Sequence, residues 1–108
     1  MYAGGGAVIR LKDGVTLGKL QPQAVLLAVV MDQVYAANGI SVCVITSGDD
    51  GQHKRQSKHY EGRALDFRTR DMPAAKQTKV VAEARAALGR DFDIILESDH
   101  IHCEWDAK

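Results

Sequence analysis

The decapeptide Ser57-Lys58-His59-Tyr60-Glu61-Gly62-Arg63-Ala64-Leu65-Asp66 sets an imidazole and a carboxylate seven residues apart, with a glycine between them. Two ligands on one helix face need a spacing of three or four residues, so this pair predicts a histidine on a loop and an aspartate on the strand that follows. Arg63 to Thr69 alternates, with Leu65 and Phe67 on one face and Ala64, Asp66 and Arg68 on the other. That pattern is a half-buried strand carrying Asp66 on its open face. A second cluster, Glu97-Ser98-Asp99-His100-Ile101-His102, lies near the C-terminus. Alternate side chains of an extended strand share a face, so His100 and His102 point together while Ile101 and Cys103 point the other way. Two imidazoles and one carboxylate, with a position open for water, are a ligand set suited to a catalytic zinc.

Outward from these clusters, the chain reads as one domain, 1–108, of α+β class: a small antiparallel sheet with two helices on one side. Ala7 to Leu11 and Val15 to Leu17 flank Asp13-Gly14, a two-residue turn signal that predicts a hairpin. Pro22 suits a first helical turn, apolar residues run from Ala24 through Val34, and Asn38-Gly39 is a stop, which predicts the central core helix. Ile40 to Thr46 is β-branched and reads as a buried strand, and Ser47 to Ser57 as a loop. Asp71-Met72-Pro73 opens a second helix running to Leu88, with Val80, Val81, Ala84, Ala87 and Leu88 as its stripe and Gly89 as its end. Phe92 to Leu96 is a strand, Ser98-Asp99 a turn, and His100 to Trp105 the last strand.

Composition excludes several classes. Fourteen basic residues balance 14 acidic ones, whereas a general nucleic-acid binder carries a basic excess. The longest apolar stretch, Ala24 to Met31, falls far short of the roughly 20 residues that span a bilayer. The first residues lack the basic start and apolar centre of a secretory signal. The expectation is a monomer that stays cytoplasmic in the producing cell or associates with a virion. Cys43 and Cys103 are too few for a disulfide framework and read as buried reduced thiols. All four histidines, His53, His59, His100 and His102, fall in the two motif segments, which favours one shared site.

The segment "TSGDDGQHKRQSKHYEGRALDFRTRD" from Thr46 to Asp71, followed by "ESDHIHCEW", resembles the zinc-site core of the hedgehog signalling domain. It is also similar to the D-Ala-D-Ala metallopeptidases and phage peptidoglycan endopeptidases that share that fold. The pattern is Ser-x-His-x6-Asp, then an acidic residue ahead of His-x-His: Ser57, His59, Asp66, Glu97, His100 and His102. The resemblance implies zinc held by His59, Asp66 and His102, with Glu97 or His100 taking a proton from the attacking water. A Glu-x-x-His register, as in the dipeptidases, would select His100 as third ligand instead. His53, Ser57 and Arg63 are candidates for a supporting or substrate-binding part.

The implied activity is hydrolysis of peptide bonds involving D-amino acids in peptidoglycan stem peptides, and the alternative is an inactive hedgehog-like binding module. Zinc acidifies water and polarises a peptide carbonyl, and a nearby carboxylate can shuttle the proton to the leaving amine. Between Gln52 and Arg70 the basic residues Lys54, Arg55, Lys58, Arg63, Arg68 and Arg70 face only Glu61 and Asp66. That excess suits a substrate bearing carboxylates. Asp49 and Asp50, where hedgehog proteins have a calcium cluster, are too few for a cation that takes six to eight oxygens.

Overall fold

A computed structural model describes residues 7–49 and 61–108. The elements are β1 (Val8–Leu11), α1 (Pro22–Ala37), β2 (Val42–Ser47), β3 (Ala64–Arg68), α2 (Ala74–Leu88), β4 (Phe92–Leu96) and β5 (His100–Trp105). They form one five-stranded sheet in the order β1-β2-β3-β5-β4. The α+β class and both helices stand as the sequence predicts. Pro22 sits in the first turn of α1, and Gly39, at φ +80°, ends it. The sheet is mixed rather than antiparallel throughout, because β1 runs parallel to β2.

The expected hairpin around Asp13-Gly14 does not form. The turn itself is present: Gly14 has φ +87°, and the Val15 N–H donates to Lys12 O at 3.1 Å. Beyond it, Val15 to Leu17 makes no strand. β1 instead pairs with β2, Val8 opposite Val42 and Leu11 opposite Ile45. The hydrogen-bonding groups of residues 16–19 are taken by Asp49, whose carboxylate accepts from the Thr16 hydroxyl and from the Lys19 N–H. The Asp49 N–H in turn donates to Thr16 O at 2.9 Å. A β-rich neighbour brought up by the α1 crossover thus outcompetes a local turn signal for the edge of β1.

Both helices cover one face of the sheet. Ala24, Leu27, Met31, Val34 and Tyr35 of α1 and Val80, Val81 and Ala84 of α2 meet Cys43, Ile45, Leu65, Phe67, Ile94, Ile101 and Cys103, all buried. Tyr35 stacks at a tilt over Phe67, ring centroids 6.5 Å apart, and its hydroxyl donates to Arg68 O at 2.7 Å. α1 is the core helix expected, but its apolar residues continue round to the outer side, where Val25, Leu26 and Val29 are exposed. Asn38, buried at its C-terminal end, donates to Glu83 of α2 at 2.8 Å and accepts at its carbonyl from Lys76. Among the described residues, no helix is long and apolar enough to cross a membrane.

Cys43 and Cys103 are buried and unpaired. β3 lies between their strands, so the two sit at least two strand spacings, roughly 9–10 Å, apart, beyond the roughly 7 Å that a disulfide permits. Burial pushes the Cys43 thiol up to about 12 and Cys103 well above the usual range.

Candidate metal and catalytic site

The open face of the sheet, opposite the helices, carries a row of polar side chains along β5. Leu65 and Phe67 turn into the core, which leaves Asp66 between them on the open side. Ile101 and Cys103 do the same on β5, leaving His100, His102 and Glu104 outward. The β3–β5 register then sets Arg68 opposite His100, Asp66 opposite His102, and Ala64 opposite Glu104. Directly opposed residues of an antiparallel pair have Cβ atoms about 5 Å apart, so the register alone brings carboxylate and imidazoles into reach.

Asp66 lies between the two histidines. Its Oδ1 is 2.8 Å from His102 Nδ1 and its Oδ2 is 3.7 Å from His100 Nε2. The other ring nitrogen of His102 meets Glu104 Oε1 at 2.8 Å. The Asp66 hydrogen bond, helped by Glu104 and opposed by partial burial, raises His102 to about 9. Without a metal the ring is therefore an imidazolium at neutral pH, donating from both nitrogens. His100 is turned by Asp99, whose Oδ1 is 2.6 Å from its Nδ1, and this bond holds the exposed Asp99 carboxyl below its ordinary value.

Glu97 sits at the end of β4. Its N–H donates to His100 O at 2.9 Å, so Ser98-Asp99 is the loop of a tight hairpin and Glu97 stands opposite His100, on the same face. The turn thus brings Glu97 to the histidine side of the sheet, although its side chain is exposed. A cleft of about 320 Å³ opens beside Asp66 and His100, its walls including Lys12, Thr46, Arg68, Arg70 and Asp99. One extra residue of β2 is inserted opposite Asp66, where the pairing jumps from Ile45–Phe67 to Ser47–Asp66. Such a bulge bends its strand and re-aims the neighbouring side chains, here at the rim of the cleft.

The glycine of the opening motif has a steric reason. Gly62 has φ +71°, and a Cβ there would come within 1.8 Å of Lys19 O. Its carbonyl accepts from the Gln21 N–H at 2.9 Å, which fastens the entry to β3 against the start of α1.

Of the residues singled out from sequence, Asp66, His100 and His102 come together. His53, Ser57 and His59 lie outside the described residues, as do Lys54, Arg55 and Lys58. Arg63 is engaged by Trp105, 4.8 Å from its ring centroid, and by Glu61 at 3.6 Å. Glu104 was missed, although it is the next step of the alternation that picked out His100 and His102. Asp99, read only as a turn residue, proves to be the partner of His100.

Asp66 and His102 supply a carboxylate oxygen and an imidazole nitrogen side by side, the donor types zinc takes. Two bonds of about 2.0–2.2 Å to a tetrahedral zinc would hold these atoms roughly 3.3 Å apart, against the 2.8 Å of the hydrogen bond present. They could fill two of the four corners of such an ion. Among the described residues, the trio with donor atoms within 4.8 Å of one another is Asp93, Glu104 and Asp106. That trio already has cations: the Lys108 ammonium is 3.0 Å from Asp93 and 3.5 Å from Asp106, and Glu104 is bonded to His102.

Comparison with known proteins identifies the family. Residues 13–104 match the hedgehog amino-terminal signalling domain. Indian hedgehog protein of Gallus gallus is 43% identical over 63 residues, covering 55% of this chain and 15% of the relative. Sonic hedgehog protein of Danio rerio is 40% identical over 68 residues, covering 59% of this chain and 16% of the relative. The chain thus matches about one sixth of the length of these relatives. The family match runs from the turn after β1 to Glu104 and so takes in both helices and the polar row of β5: the chain belongs to the hedgehog amino-terminal signalling domain family.

Proposed function

We propose that this hedgehog-family domain is a zinc-dependent peptidase that cleaves bonds involving D-amino acids in peptidoglycan stem peptides. The observation that carries the reading is Asp66 lying between His100 and His102 beside a cleft walled by Lys12, Arg68 and Arg70. Asp66 and His102 would hold the zinc together with His59, which stands seven residues before Asp66. Zinc bound there supplies a Lewis acid and an acidified water.

The chain's own groups do the rest. Glu97, opposite His100 across the hairpin, takes the proton from the attacking water and returns it to the leaving amine. His100, oriented by Asp99, is the second candidate for that role. Lys12, Arg68 and Arg70 bind carboxylates of the stem peptide, since charge-assisted hydrogen bonds to carboxylates are about twice as strong as neutral ones. The likeness to D-Ala-D-Ala metallopeptidases and phage endopeptidases belongs to this proposal, as does a monomer acting on the cell wall, virion-associated or released from the producing cell.

A second reading, a zinc-containing binding module without turnover, is favoured by the family itself, which is one of signalling domains. The exposed Glu97 and the cleft beside His100 favour the enzyme, because a purely structural metal needs neither. The deciding experiment incubates zinc-loaded protein with purified peptidoglycan and analyses released fragments by mass. Fragments ending at a D-amino acid bond are expected. A fully zinc-loaded protein that releases none from any cell-wall peptide leaves the binding module.

A further inference from the structure

His102 is gripped at both ring nitrogens by carboxylates from different strands. Asp66 of β3 is 2.8 Å from Nδ1, and Glu104, two residues along β5, is 2.8 Å from Nε2. The three side chains are mostly shielded, with 13, 18 and 19% of Asp66, His102 and Glu104 exposed. Across β4 the residue opposite His102 is Ile95, which offers the ring no polar alternative. A histidine that gives one nitrogen to a metal usually donates the other N–H to a carboxylate, carbonyl or water, and that outer bond fixes tautomer and ring orientation.

We infer that Glu104 is a positioning residue for His102: by accepting the Nε2–H it keeps the Nδ1 edge of the ring turned to the metal position beside Asp66. The inference rests on the reading of Asp66 and His102 as zinc ligands. Glu104 is suited to the task because it shares the rigid strand of the histidine it orients. Its position opposite Asp93, itself held by Lys108, keeps it out of solvent without another described cation competing for it. Asp99 makes the corresponding bond to His100, but from an exposed loop and to Nδ1, so the two histidines present opposite nitrogens to Asp66.

The test measures zinc affinity, by competition with a chromophoric chelator, for wild type, Glu104→Ala and Glu104→Gln. In parallel, nitrogen-15 spectra of zinc-loaded wild type identify which nitrogen of His102 carries its proton. Glu104→Ala is expected to bind zinc about 10–100-fold more weakly. Glu104→Gln, whose amide oxygen can accept the same N–H, should recover most of that loss. Wild type should show an exchange-protected Nε2–H that Glu104→Ala lacks. Affinity of Glu104→Ala within twofold of wild type, or a His102 protonated at Nδ1 in the loaded protein, would overturn the inference. The wild-type spectrum decides even if Glu104→Ala does not fold. Wild type that takes up no zinc defeats the zinc reading together with this inference, whereas a zinc-binding wild type with an indifferent Glu104 defeats the inference alone.

Discussion

In protein stripped of metal by a chelator, folding stability should fall as the pH is raised from about 6.5 to about 9, and His102 should be the cause. Its imidazolium is held by Asp66 and Glu104, and its folded value of about 9 lies above the ordinary 6.5. A group whose proton affinity is higher in the folded state stabilises fully below the unfolded value and loses that contribution as pH rises through the folded one. The gap, at about 1.4 kcal/mol for each tenfold change in proton affinity, corresponds to about 3 kcal/mol. The ring is only 18% exposed, so solvent screens little of this. The assay is urea unfolding of wild type and His102→Gln at a series of pH values between about 5.5 and about 10. The advantage of wild type over the variant should shrink by about 3 kcal/mol across it, or about 1–3 M urea in midpoint for a domain of this size. A difference that stays flat with pH would refute the grip of the two carboxylates on His102.

Alanine at His102 should release zinc while alanine at His100 keeps it and lowers activity; metal analysis giving the reverse would select the Glu-x-x-His register. Glu97→Gln should leave zinc content and melting temperature near wild type and cut hydrolysis about 10²-fold or more, and undiminished turnover would leave His100 as the base. Gly62→Ala should cost at least about 2 kcal/mol, since the left-handed backbone is disfavoured and the Cβ meets Lys19 O. Gly14→Ala, with φ +87° but open space around it, should cost less in the same thermal unfolding series; equal losses would deny the contact a role. Phe67→Ala, fully buried directly behind Asp66, should cost about 3–5 kcal/mol in urea unfolding, and a loss under about 1 kcal/mol would contradict its place in the core.

Much of the frame was legible because it is encoded locally. Pro22 and Asn38-Gly39 bracket α1, Pro73 and Gly89 bracket α2, and the alternation of β3 and β5 separates core from open face residue by residue. The same alternation foretold that Asp66, His100 and His102 would share a side. It stopped one step short at Glu104, because a carboxylate after a cysteine near a chain end looks like a solvated strand residue until its partner is known.

Within β3 and β5, then, the sequence determined which side chains face the core and which face out, because a two-residue period admits only two answers. It did not determine which strand lies beside which. Asp13-Gly14 does turn the chain, yet β1 takes β2 as its partner, since the crossover through α1 buries Leu27 and Met31 against the sheet and a two-stranded hairpin could not. The register of β3 on β5, the bulge opposite Asp66 and the cleft that joins Lys12 to Arg68 and His100 likewise exist only in three dimensions. They arise from packing both helices on one face of the sheet at once, and no window of neighbouring residues contains that condition.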